Sequence, residues 1–126
     1  MRAVDTNLLV RLLARDDAVR TTAAETFVEN GAWVSQLVPA ETLWMLDAVY
    51  ERTSAQTARA IDLLLNHKHL TLQDADVVAP ALEHFRARPS LGFSDCLVLE
   101  IARKAGHLPL GTFDKRFGKL DGTVRP

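Results

Sequence analysis

Apolar residues begin the chain at Ala3 and Val4, and Asp5, Thr6 and Asn7 interrupt them before the apolar run of residues 8–13. This break predicts a short buried strand over residues 2–5 and a helix through LLVRLLARD, N-capped by Thr6 or Asn7. Arg11 and Arg15 then fall on one helix face at i, i+4 spacing. A second helix fits residues 19–29 and stops at Gly31. AWVSQ reads as a strand. Pro39 suits the first position of the next helix, whose apolar row is Leu43, Leu46 and Tyr50. Ser54 caps a further helix, so residues 40–66 read as a helical hairpin.

Beyond it, LTL is a short strand, and Asp74 or Asp76 begins a helix towards HFRAR with Pro80 inside the pattern. GFSDCLVLEIARKAG carries strong helix signals: Ser94 as N-cap, Arg103 and Lys104 late, and Gly106 as C-cap. LPLGT is a strand in which Pro109 cannot donate to a ladder. FDKRFGKL is a short helix and TVR a last edge strand. Strands alternating with helices predict an α/β fold with a largely parallel sheet and helices on both faces. No repeat or linker interrupts the pattern, so residues 1–126 read as a single domain.

Composition narrows the function classes only modestly. Of 126 residues, 48% are hydrophobic and 25% charged, as in ordinary globular domains. A net charge of −1 gives no overall pull towards nucleic acid, so a polyanion would need local basic residues or bound cations. The single cysteine, Cys96, precludes an intrachain disulfide and suits a reducing compartment. No signal-peptide core and no membrane-length apolar run is present, so a cytoplasmic location is expected, with no membrane role.

Open α/β sheets bind ligands beyond the carboxyl ends of their strands, which makes the acids informative. Asp5 ends the first strand, Glu41 follows AWVSQ, Asp95 lies in the first turn of its helix, and Asp114 follows LPLGT. Asp5 or Asp114 alone is an ordinary cap or turn acid, and Glu41 alone an ordinary first-turn glutamate. Asp95 has Val98, Leu99 and Ala102 as neighbours on its helix face, while Glu100, Arg103 and Lys104 mark the solvated side. That spacing predicts an acid on the flank of a buried arc, in need of a partner. Four acids converging at one sheet edge would repel unless a cation screened them. Oxygen donors alone favour Mg²⁺ or Mn²⁺ over zinc, and a water activated there can attack a phosphodiester. Thr6, Asn7, Ser94 and Thr112 are supporting candidates, with capping and turn bonds as their ordinary alternative.

These stretches, AVDTNLLVRLL, VSQLVPAETLWML, GFSDCLVLEIARKAG and LPLGTFDKRF, resemble in order and spacing the acidic motifs of PIN-domain ribonucleases. The nearest likeness is to the VapC-type toxins of bacterial toxin–antitoxin pairs. The resemblance implies a three-layer α/β/α domain with a central, mostly parallel sheet and a Mg²⁺- or Mn²⁺-dependent RNA-cleaving activity. It puts Asp5, Glu41, Asp95 and Asp114 at the metal and catalytic positions and Thr112 beside them. It also implies a homodimer and a cognate antitoxin, whose C-terminal segment would contact the hairpin around residues 44–65. Gly111 and Pro109 depart from the pattern and would shorten the final strand before Asp114.

Arg11, Arg15, Lys115, Arg116 and Lys119 are the candidates for RNA phosphates, with Arg86 and Arg88 behind them. His67 and His69 read as surface residues rather than a metal pair, since no third soft ligand is in reach. His84 and His107 carry no signal. Cys96 reads as a small packed residue, and Trp33, Trp44 and Phe27 as core or interface aromatics. Two other classes compete. A phosphoryl-accepting signalling domain would need a lysine at a late strand end, where Thr112 and Asp114 stand instead. A catalytically silent module of the same fold would serve only as a binding partner.

Overall fold

The strand predicted at the start forms at Arg2–Val4 (β1), and only Val4 of its three residues is buried. A computed structural model describes all residues, 1–126. Beyond β1 come helices α1 (Thr6–Ala14) and α2 (Ala18–Val28), strand β2 (Ala32–Val34), and helices α3 (Leu37–Ala48) and α4 (Ser54–Leu65). Strand β3 (Leu70–Leu72) and helix α5 (Ala75–Ala87) come next. A 3₁₀ turn (Pro89–Leu91) leads into helix α6 (Phe93–Ala105), and strand β4 (Leu110–Gly111), a 3₁₀ turn (Phe117–Lys119) and strand β5 (Thr123–Val124) close the chain. Six helices alternate with parallel strands, an α/β arrangement consistent with three layers.

The backbone divides into two compact units, Met1–Ala75 and Asp76–Pro126. In the first, β1, β2 and β3 form a parallel sheet in that order, with Val4 beside Val34 and Val34 beside Leu72. Those three valine and leucine side chains are buried. Helix α1 packs on α2 and α3, α3 packs on α4, and α4 packs on β3. Leu9, Val28, Leu46, Ile61 and Leu64 are almost wholly excluded from water, each such side chain contributing roughly 1.5–3 kcal/mol.

In the second unit, Val77, Val78, Ala81, Leu82 and Phe85 of α5 and Cys96, Leu97 and Leu99 of α6 are buried. Phe85 meets Phe93 edge to face at 6.3 Å. Strands β4 and β5 pair with each other in a separate two-stranded sheet. Their ladder begins at Leu110, whose N–H donates to Gly122, directly after Pro109, which has none to give. The final strand is therefore only two residues long, as the proline and glycine there predict.

Several expected boundaries change. Thr6 and Asn7 lie inside α1, and Asp5 is its cap. Pro39 is the third residue of α3, not the first. Thr53, not Ser54, caps α4, through a reciprocal pair of bonds with Gln56. Gly92, at φ 78°, precedes α6, which places Ser94 in the first turn without a capping bond. The expected helix in FDKRFGKL shrinks to the 3₁₀ turn at Phe117–Lys119.

Candidate active site

Asp5 does cap its helix: its Oδ1 accepts from the Leu8 N–H at 3.0 Å. Only one carboxylate oxygen is taken by this bond, and the side chain stays exposed to water. The next residue, Thr6, is buried and donates its hydroxyl to Glu41 Oε2 at 2.8 Å. This bond ties the start of α1 to Glu41, the fifth residue of α3, which lies past the first turn in which the sequence pattern put it. Both helices follow strands of one parallel sheet, and the bond brings Glu41 beside the residue that follows Asp5. Asn7 is exposed at the second position of α1.

In the second unit Asp114 Oδ1 accepts from Phe117 N–H at 2.8 Å, and Asp114 N–H donates to Thr112 Oγ1 at 3.1 Å. Thr112 thus fixes the turn that presents Asp114. The strand before it belongs to the two-stranded sheet, so a shared sheet edge accounts for Asp5 and Glu41 but not for Asp114.

Asp95 corrects the expectation most sharply. It is exposed, and so is its neighbour Val98 at 50%. The buried arc of α6 runs through Phe93, Cys96, Leu97, Leu99 and Glu100, so of the three neighbours read beside Asp95 only Leu99 is buried, Ala102 being half-buried. The acid that had to find partners in the interior is Glu100, 7% exposed, which the pattern placed in solvent. Its Oε2 accepts from Arg103 Nε at 3.0 Å and lies 3.5 Å from His84 Nε2. Arg103 also donates to the Asp121 carbonyl at 2.8 Å, which anchors the C-terminal segment. Glu100 and His84 are structural residues that spacing alone missed. The available signal was the i, i+3 Glu–Arg pair itself.

None of the four acids is spent in an ion pair, whereas Asp16, Asp17, Glu25, Asp76, Glu83 and Glu100 all are. Asp5, Glu41 and Asp114 each have one oxygen engaged and a second free to face a ligand. A donor set made only of carboxylate and hydroxyl oxygens suits a hard divalent cation. Within either unit, no three His, Cys, Asp or Glu side chains form a group that could hold a metal on their own.

Among the basic candidates, Arg11 pairs with Asp16 at 3.1 Å and Arg15 with Glu25 at 2.6 Å, so both are partly neutralised. Lys115 and Arg116 are exposed and in no ion pair. Cys96 is fully buried, and burial, then the charges of Asp95 and Glu100, push its thiol up to about 11. It stays protonated and inert. His67 is pushed below its ordinary value, first by burial and then by His69 and Lys68. Its Nδ1 accepts from the His69 N–H, a bond that suits the neutral ring. Trp44 is 68% exposed and so belongs to the surface, not the core. A cavity of about 700 Å³ is lined by Leu12, Leu13, Val28, Leu63 and His67 among others and contains none of the four acids.

The PIN domain family model matches residues 2–123, almost the whole chain and all four acids. The chain belongs to the PIN domain family. A PIN domain has a nuclease-type fold, and PIN domains are in general metal-dependent nucleases. No curated protein and no solved structure gives a match. For this PIN domain no helix is long and apolar enough to cross a membrane.

Proposed function

We propose that this PIN domain is a Mg²⁺- or Mn²⁺-dependent endoribonuclease and the toxin of a toxin–antitoxin pair. The observation that carries the nuclease reading is the Thr6–Glu41 bond, which holds Glu41 beside the residue after Asp5 while both acids stay exposed and without a cationic partner. Asp5, Glu41, Asp95 and Asp114 would hold the metal. When bound, it would supply Lewis-acid stabilisation of the charge that builds on a phosphodiester. Thr6 orients Glu41, Thr112 orients Asp114, and Ser94 and Asn7 are exposed hydroxyl and amide groups for water or phosphate. Lys115 and Arg116 supply the local positive charge that the chain as a whole lacks.

The partner reading rests on the α3–α4 hairpin, which leaves Trp44 and Leu63 exposed at 68% and 54%. Large apolar side chains in water suit cover by an antitoxin segment or by a second copy in a homodimer. A protein of this kind acts in the cytoplasm, where its RNA is.

The test is cleavage of a mixed RNA pool by the purified protein with Mg²⁺, with Mn²⁺ and with EDTA, beside Asp95→Asn. Metal-dependent cutting that disappears in the variant is the expected result. Absence of cutting by the folded protein under every metal would favour the silent binding module instead.

A further inference from the structure

Three cationic side chains stand together without a counter-charge in the second unit. Arg88, Ser90, Leu91, Arg116 and Lys119 line a hollow of about 240 Å³, and no acid is among its walls. Several other bases are answered by acids: Arg11 by Asp16, Arg15 by Glu25, Arg20 by Asp17, Arg103 by Glu100 and Lys104 by Asp76. Like charges facing one hollow repel, and an anion between them removes the repulsion.

The hollow's walls are fixed by backbone bonds. Arg88 and Arg116 are the residues that enter the two 3₁₀ turns. Arg88 N–H donates to the His84 carbonyl at 3.0 Å, and Leu91 N–H to the Arg88 carbonyl at 3.0 Å. Lys119 N–H donates to the Arg116 carbonyl at 3.2 Å, and Asp114 accepts from Phe117 N–H in the same turn. Leu91 and Phe117 pin both turns to the interior, at 5% and 4% exposure. Ser90 adds an exposed hydroxyl. The space is smaller than the roughly 300–1,000 Å³ of ordinary small-molecule pockets, and Leu91 is its one apolar wall, so it suits a compact anion.

We infer that this hollow is a phosphate-binding subsite. Two guanidinium forks, an ammonium and a hydroxyl match the oxygens of a phosphate group. The inference deepens the ribonuclease reading, on which its preferred source rests: a backbone phosphodiester of RNA, docked on the same turn that Asp114 caps. A free phosphate monoester is the other source of the same chemistry.

The experiment measures binding of a fluorescein-labelled single-stranded RNA by anisotropy across a salt series in EDTA. The parent is compared with Arg88→Ala, Lys119→Ala, the double variant and Arg59→Ala, an exposed arginine of α4. Circular dichroism verifies each fold. Inorganic phosphate is titrated in parallel against the amide resonances of residues 88–91 of the parent. If the hollow reads the backbone, the slope of log K against log salt falls by about 0.7 in each single variant and about 1.4 in the double, with Arg59→Ala unchanged. If the slopes stay equal but phosphate shifts those amides, the subsite stands and its source is a free phosphate. Equal slopes with no amide shift overturn it. Because EDTA suppresses cleavage, a protein that proves not to be a nuclease can still show this subsite, and an active nuclease can still lack it.

Discussion

Asp5 does two jobs that a pair of substitutions can separate. Asparagine is as good an N-cap as aspartate, so Asp5→Asn keeps the Leu8 bond and removes only the charge. Its urea midpoint is expected to match the parent while metal-dependent cleavage is lost. Asp5→Ala loses the cap as well and is expected to cost about 1 kcal/mol in the same titration. A large stability loss in Asp5→Asn would mean that the carboxylate's role is structural. Thr6→Val removes the donor to Glu41 while keeping the buried shape. Glu41 is exposed, so water replaces the lost bond and stability falls by about 1 kcal/mol or less. Cleavage should fall well beyond that change, because Glu41 loses the bond that aims it, and an unchanged rate would show that Thr6 does not position Glu41. At this scale the sequence was legible where chemistry depends on near neighbours. The strand-end position of Asp5, the turn at Thr112–Asp114 and the inert Cys96 all follow from a few adjacent residues. Asp95 and Glu100 were exchanged, because both flanks of α6 carry apolar residues and only packing decides that Val98 faces water while Glu100 faces Arg103.

The helices show the same division. Caps and stops could be read to within a residue or two: Thr53 for Ser54, Asp5 for Thr6, Gly106 as expected. The choice between adjacent polar residues turns on backbone angles that composition does not carry. Helix α3 holds a feature with no sequence signal at all. Thr42 is fully buried and its hydroxyl has no hydrogen-bond partner. An unpaired buried hydroxyl costs roughly 1–3 kcal/mol, so Thr42→Val is expected to raise the urea midpoint and, through it, the unfolding free energy by an amount in that range. A lowered midpoint would show that the hydroxyl is satisfied. In α6 the opposite holds. Glu100→Gln removes the charge from a buried hydrogen bond to a guanidinium and is expected to destabilise by roughly 1.5–3 kcal/mol. No change would place that carboxylate outside the set of groups that hold the second unit together.

For the molecule as a whole, the alternation of strands and helices was enough for an α/β fold, and the resemblance of the four acidic stretches pointed to the PIN family, whose match extends over residues 2–123. The pairing of β4 with β5 instead of the main sheet was not legible, because pairing between distant segments is set by three-dimensional packing rather than by period. Stability should also respond to acid. His67 is held below its ordinary value of 6.5 in the folded state, so the unfolded chain takes up its proton first as pH falls. Stability is therefore unaffected by this group well above 6.5 and is lost as pH drops below it. Thermal unfolding followed from about pH 7.5 to about pH 5.5 should show a smaller loss in His67→Asn than in the parent. An equal loss would remove His67 from the acid response.

The central claim is that Asp5 and Asp95 serve the metal site of the proposed nuclease. Calorimetric titration of Mn²⁺ into the parent, Asp5→Asn and Asp95→Asn tests it directly. The proposal predicts a saturable binding event in the parent that each single variant weakens. Binding that survives intact in either variant would contradict it.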